Sequence, residues 1–269
     1  MKKFCFIALA AIMTFVGCDK NSALYYGISD MGQVTNGNIV TDGGLTYIVT
    51  ENESGSTDYK SLDRIVFLCD VLEKLEGDNT YSIRLQNYSS VLVSEPVNKT
   101  AQSEEWFGDD AIRMQSGWFS GGYLNMYVTM TMIQNSTTAH QIRLMFDDTV
   151  DNSDTLHFYL KHNGNGETYE ADPTNSKIVE AAGYVSFPID SYVPTGKNGI
   201  NIRIDWDWYK SMDDRYSTEK EHYSETGYYE RSSGGTKAAS TRSADGSSAF
   251  SGKAVSALGS VAGYTVPIE

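Results

Sequence analysis

The chain reads as a mostly β protein on three observations. From about Thr46 to Trp208 apolar and polar residues alternate, the period-2 pattern of strands that bury one face. The alternating runs are short. Turn-forming clusters separate them, among them Asp42-Gly43-Gly44, Glu76-Gly77-Asp78-Asn79 and Asn163-Gly164-Asn165-Gly166. Short strands with regular turns predict sandwich or barrel architecture.

The first segment in chain order is a targeting signal. Lys2 and Lys3 precede an apolar run from Phe4 to Val16, which ends at Gly17-Cys18. That run falls short of the roughly 20 residues that a helix needs to cross a bilayer, so removal is expected rather than a permanent span. A small residue just before a cysteine, in Phe15-Val16-Gly17-Cys18, marks a lipoprotein signal, although Phe15 stands where Leu is usual. The plainer alternative is an ordinary cleaved signal with an incidental cysteine. On the lipoprotein reading residues 1–17 are lost, Cys18 carries the lipid, and residues 18–23 tether the protein to the membrane without spanning it.

Among the strand-like runs, Ile65-Val66-Phe67-Leu68-Cys69 is ambiguous, since Ile65, Leu68, Leu72 and Leu75 also fit helical spacing. Its β-branched and aromatic content and the turn cluster that follows favour a strand. Tyr81, Ile83 and Leu85 alternate with polar residues, as do Ile142, Leu144 and Phe146, then Leu156, Phe158 and Leu160. The clearest run is Ile200 to Trp208. There Ile202, Ile204, Trp206 and Trp208 share one face, and Arg203, Asp205 and Asp207 the other. The polar stretch Asn98 to Glu105 is a candidate domain boundary. Residues 211–269 hold 12 Ser and 7 Gly, a composition that predicts a poorly ordered tail, with Val261 to Ile268 as a candidate short strand.

Charge and cysteine content narrow the function. The chain carries net charge -14, which becomes -16 once Lys2 and Lys3 are gone, so phosphate backbones and anionic surfaces repel it. Nucleic acid is not an expected partner. Of Cys5, Cys18 and Cys69, the first is cleaved and the second lipidated, so no intramolecular disulfide is available. Cys69 reads as a buried, inert thiol.

Familiar catalytic signatures are missing: no G-x-S-x-G, H-E-x-x-H, Walker loop or C-x-x-C occurs. The four histidines, His140, His157, His162 and His222, read as surface or structural residues. His157 and His162 point to opposite faces of one extended strand, an argument that weakens if the chain turns at Asn163-Gly164. The cluster Asp147-Asp148-Thr149-Val150-Asp151-Asn152-Ser153-Asp154 offers carboxylates to a hard cation but lacks the calcium-loop pattern, so a solvated loop is the default. Asp205 and Asp207 have the spacing for a glycosidase acid and base, yet Arg203 on the same face favours an exposed, salt-bridged surface. Thr149 and Thr155, in Asp148-Thr149-Val150 and Asp154-Thr155-Leu156, are candidate O-glycosylation acceptors by resemblance to a Bacteroides-type motif. Trp106, Phe107, Trp118 and Phe119 are candidates for ligand stacking, with core packing the stronger expectation. No cofactor or metal site is expected.

Several short motifs together resemble the NigD-like lipoproteins of Bacteroides-type bacteria. They are Asp63-Arg64-Ile65-Val66, Gly121-Gly122-Tyr123-Leu124-Asn125, His140-Gln141-Ile142-Arg143-Leu144, Phe158-Tyr159-Leu160-Lys161-His162-Asn163 and Val185-Ser186-Phe187-Pro188. The resemblance covers about residues 24–210. It implies an OB-like β-barrel over 24–102 and an antiparallel β-sandwich over 103–210, with residues 211–269 beyond it. It brings no catalytic or ligand residues, and the family name implies association with a bacteriocin locus. The expected protein is a non-enzymatic binding or interaction module, lipid-anchored in the cell envelope and at the outer membrane rather than the inner. Its expected partners are the membrane, through the lipid, and an envelope protein or glycan. A bacteriocin-associated self-protection factor and a carbohydrate-binding or glycan-hydrolysing protein are the alternatives.

Overall fold

The computed structural model describes residues 23–150, 154–210 and 218–231; Cys18 and the expected signal segment lie outside these. Thirteen strands and one short α-helix make up the regular structure among the described residues, with two brief 3-10 turns. Five strands come first: β1 (Tyr25–Thr35), β2 (Asn38–Thr41), β3 (Thr46–Asn52), β4 (Arg64–Lys74) and β5 (Thr80–Val93). Their pairings close on themselves. β1 joins β2, β2 joins β3, β3 runs parallel to β5, and β5 returns through β4 to β1.

Inside this ring lie Ile39, Tyr47, Ile65, Phe67, Cys69, Val71, Ile83 and Leu85, all buried. Alternate residues of β4 and β5 supply most of them, as strand geometry requires. Why β4 read as a continuous apolar run is now clear. Ile65, Phe67, Cys69 and Val71 face the ring interior, while Val66 packs on the other side with Met31, Val91, Trp118 and Tyr184. A strand buried on both faces loses its alternation.

β5 is long enough to leave the ring. Its last residues, Val91 to Val93, pair in parallel with Tyr184 to Ser186 of β11 (Ile178–Pro188). β11 continues to β8 (Tyr123–Ile133) and β7 (Ile112–Ser120), so one eight-stranded sheet crosses the expected domain boundary. A second sheet of five strands has the order β13 (Lys220–Glu230), β12 (Gly199–Tyr209), β10 (Thr155–Asn163), β9 (Gln141–Phe146) and β6 (Val97–Asn98). The two sheets enclose one core, to which Leu124, Met126, Leu144, Phe158, Ile202 and Ile204 contribute fully buried side chains. The segment Asn98 to Glu105, the candidate domain boundary, holds most of helix α1 (Ala101–Phe107), capped by Thr100 and Ser103.

One expectation for the tail needs correction. Residues 220–230 fall within the stretch expected to be poorly ordered, yet they form β13 and pair with β12 along its whole length. Tyr223 stacks on Trp206, with ring centroids 5.9 Å apart, and Tyr229 is buried against the core. Composition averaged over 59 residues hid a strand of 11.

Ring and sandwich are joined by a buried arginine. Arg64, 1 % exposed, donates from Nη1 and Nη2 to the Asp42 carboxylate at 2.8 and 2.5 Å, from Nε to Ser186 Oγ at 3.1 Å and from Nη2 to Asn125 Oδ1 at 3.1 Å. Its guanidinium lies 4.3 Å from the centre of the Tyr123 ring. Ser120 Oγ donates to Asp42, and Asn125 donates to Ser120. Gly121, at φ +59, has no room for a side chain, because a Cβ there would sit 2.5 Å from Asp42 Oδ1.

Two measurements follow from this architecture. Arg64→Ala leaves Asp42 buried without its cation and is expected to cost about 3–5 kcal/mol in urea unfolding, whereas Arg64→Met with Asp42→Leu recovers much of that loss. An Arg64→Ala variant within about 1 kcal/mol of the parent would show that the pair does not hold the junction. Burial, then the charges of Asp30 and Asp70, pushes the Cys69 thiol up to about 12. Maleimide at pH 7 is therefore expected to leave Cys69 unmodified in the native chain and to label it after unfolding.

Candidate functional site

The alternation of β12 puts Arg203, Asp205 and Asp207 on the outer face of the five-stranded sheet, and β13 lays His222 across from Asp207. Arg203 binds Asp205 through Nε at 3.1 and 3.0 Å and through Nη2 at 2.7 Å. His222 then bridges the two carboxylates, Nε2 to Asp205 at 3.0 Å and Nδ1 to Asp207 at 3.0 Å. Two ring nitrogens facing two carboxylates require both to carry protons, which is the imidazolium. The hydrogen bond to Asp207 is the largest cause that raises the His222 pKa above its ordinary value, with Asp205 adding to it against a smaller cost of burial.

The strip continues across the sheet. Tyr159 of β10 stands opposite Asp205. Lys99 Nζ lies 4.6 Å from the Tyr159 ring and donates to Asp147 at 3.0 Å. Arg203, Asp205, Asp207 and His222 together carry no net charge when the histidine is protonated. Asp205 is 3 % exposed and both its oxygens accept hydrogen bonds. A carboxylate held this way is arranged to fix two strands rather than to face a substrate proton. The pair is the salt-bridged surface that Arg203 suggested, although Asp205 is buried beneath its partners instead of open to solvent.

The other sequence candidates scatter. Asp147 is buried and accepts from both the amide and the hydroxyl of Thr149, so the exposed Thr149 is held in a local turn. Thr155 begins β10, half-buried, and pairs with Asn201. Asp151 to Ser153 lie outside the described residues, among which no group of three metal-ligating side chains occurs. Trp118 packs edge-on against Tyr184 at the junction and Phe119 against Tyr229. Trp106 is exposed on α1, and Phe107 lies under Arg143.

Residues 94–219 match the model of the NigD-like C-terminal beta sandwich domain. The chain thus carries a NigD-like C-terminal domain, and its likeness to that family rests on this stretch. Among solved structures, a protein of unknown function from Bacteroides vulgatus aligns with TM-score 0.54 and 21 % identity, over 76 % of this chain and 90 % of that one. A NigD-like immunity protein from Bacteroides caccae aligns at 0.50 and 17 %, over 75 % and 92 %. A candidate lipoprotein from Bacteroides fragilis aligns at 0.50 and 14 %, over 74 % and 96 %. These identities speak for the fold. No curated protein matches the chain.

Within the matched domain sequence reasoning missed a second histidine site. His140 and His162, both fully buried, stack with Nδ1 of the first 2.9 Å from Nε2 of the second. His162 Nδ1 lies 3.2 Å from the Ala111 carbonyl, which can only accept. His162 Nδ1 therefore carries its proton, Nε2 accepts, and His140 Nδ1 donates to it. Burial lowers the pKa of both, and for His162 the neighbouring His140 lowers it further. No spacing rule relates residues 22 apart on different elements, so the pair had no local signal. The face argument for His157 and His162 holds, because β10 stays extended through Asn163.

The histidine sites respond to pH with opposite sign. His222 has a raised folded pKa, so its stabilisation is complete below the unfolded value near 6.5 and fades as pH rises through the higher folded value. His222→Gln is expected to cost about 0.2–1 kcal/mol at pH 5.5, a surface-sized effect given its exposure, and close to nothing at pH 9. Parallel unfolding curves at the two pH values check this, and a penalty that grows with pH would contradict the clamp.

Proposed function

We propose that this NigD-like chain is a lipid-anchored cell-envelope protein that works as a non-enzymatic binding module. The observation that carries the reading is the state of its most enzyme-like group. Asp205 is capped by Arg203 of its own strand, and His222 of β13 bridges it to Asp207, so the carboxylate pair is engaged in structural contacts within the sheet. Lys2, Lys3, the apolar run to Val16 and Gly17-Cys18 support the anchor, as does the candidate lipoprotein among the structural relatives. Among the described residues no helix is long and apolar enough to cross a membrane.

The closed order β1-β2-β3-β5-β4 supports an OB-like reading of the N-terminal ring. Such barrels commonly take oligonucleotides, and a net charge of -16 after signal removal opposes that here. A protein or glycan partner fits the charge better. The immunity protein among the relatives favours a second reading, self-protection against a bacteriocin.

Two experiments separate these readings. Cys18→Ala is expected to move the protein from the membrane fraction to a soluble one, and membrane retention insensitive to globomycin would overturn the anchor. Cross-linked pull-down run beside a glycan array is expected to give one class of partner. A single stoichiometric protein without glycan signal removes sugar binding, whereas turnover of a glycan that is lost in Asp205→Asn would replace the binding module with a hydrolase.

A further inference from the structure

Five large hydrophobic side chains are exposed among the described residues, and three are consecutive: Leu24 at 54 %, Tyr25 at 60 % and Tyr26 at 63 %. They open the described chain. The backbone beneath them is fixed, since Leu24 N–H donates to the Val71 carbonyl at 2.7 Å and Tyr25 pairs with Val71. Next comes a bulge. Tyr25 stands opposite Val71 and Ile28 opposite Cys69, so two residues, Tyr26 and Gly27, face the single Asp70. Gly27 takes φ +64, and its N–H donates to Asp70 Oδ1 at 2.9 Å. The Asp70 carboxylate is itself held by Gln86 Nε2 at 2.7 Å and Arg84 at 3.5 Å, with its side chain 5 % exposed. The exposed tyrosines thus sit on a braced edge rather than on a frayed end.

We propose that Leu24, Tyr25 and Tyr26 form a contact surface for the lipid bilayer. The inference rests on lipidation of Cys18, six residues before Leu24, which limits the patch to about 20 Å from the acylated residue. Tyrosine suits the headgroup region because its ring is apolar and its hydroxyl stays wet. Charge does not drive the contact, because the mature chain is acidic and Asp70, under the bulge, is already paired. Contact through rings and an aliphatic side chain is insensitive to salt.

The chain permits a selective label. Cys69 is buried and Cys18 is acylated on this reading, so Tyr26→Cys offers one reactive thiol to an environment-sensitive dye. The lipidated full-length protein, reconstituted in phosphatidylcholine vesicles with headgroup-nitroxide lipid, is expected to show quenching at position 26 about twofold or more above a Trp106→Cys reference. Leu24→Cys supplies a second probe of the patch. Quenching should be the same at low and high salt. Equal or absent quenching in protein that still floats with vesicles overturns the contact surface. Loss of flotation overturns the anchor itself, and the surface with it.

Discussion

Everything in this fold turns on how a guanidinium can be buried between two β bodies. Arg64 is 1 % exposed, and a charge of that kind survives only where geometry supplies its partners. Asp42 comes from the turn between β2 and β3, Ser120 and Asn125 from around the β7–β8 turn, and Ser186 from β11. Three separate chain segments must be in place around β4 before the charge is satisfied. Gly121 is required by the same site, since any side chain there would collide with Asp42. The arginine therefore reports correct assembly of ring and sandwich together, and the parallel pairing of β5 with β11 runs beside it.

Residues that carried the family resemblance gather at two places. Arg64, Gly121, Tyr123, Asn125 and Ser186 make the junction, and His140 and His162 make the buried stack at the end of β10. As short motifs they seemed unrelated. In space each group closes a buried polar network, the kind of arrangement in which every member depends on the others. The resemblance thus registers how the two bodies are joined and how the sandwich end is sealed.

Local pattern was legible wherever a strand has one wet face. Ile200 to Trp208 alternates in the structure as it does on paper, and Arg203, Asp205 and Asp207 share the outer face. Legibility failed where the cause is not local. The pairing of β10 with β12 is parallel and links residues more than 40 apart, and His222 reaches its carboxylates only because β13 pairs with β12. Asp30 was invisible for the same reason. It stands opposite Phe67, facing the ring interior, where burial raises its pKa to about 6; burial likewise raises those of Tyr47 and Cys69, and the Asp30 charge adds to it. Nothing in the neighbours of Asp30 along the chain marks an interior carboxyl.

β1 connects the two ends of this argument. At its start it carries the exposed tyrosines, and six residues later Met31 packs with Val66, Val91, Trp118 and Tyr184, its sulfur 3.9 Å from Ser186 Oγ. A strand covers that interval in about 20 Å without a hinge, because its backbone is bonded to β4 along the way. The sandwich is then mounted on β1 through Arg64 and the apolar cluster beside it. In the proposed arrangement a contact that orients Tyr25 and Tyr26 at a bilayer also orients the outer face of the five-stranded sheet. The charged strip from His222 to Lys99 would be presented at a fixed height and angle. In that proposed arrangement the braced edge at the Gly27 bulge would add a second point of contact to the lipid, and two points define an orientation that one does not.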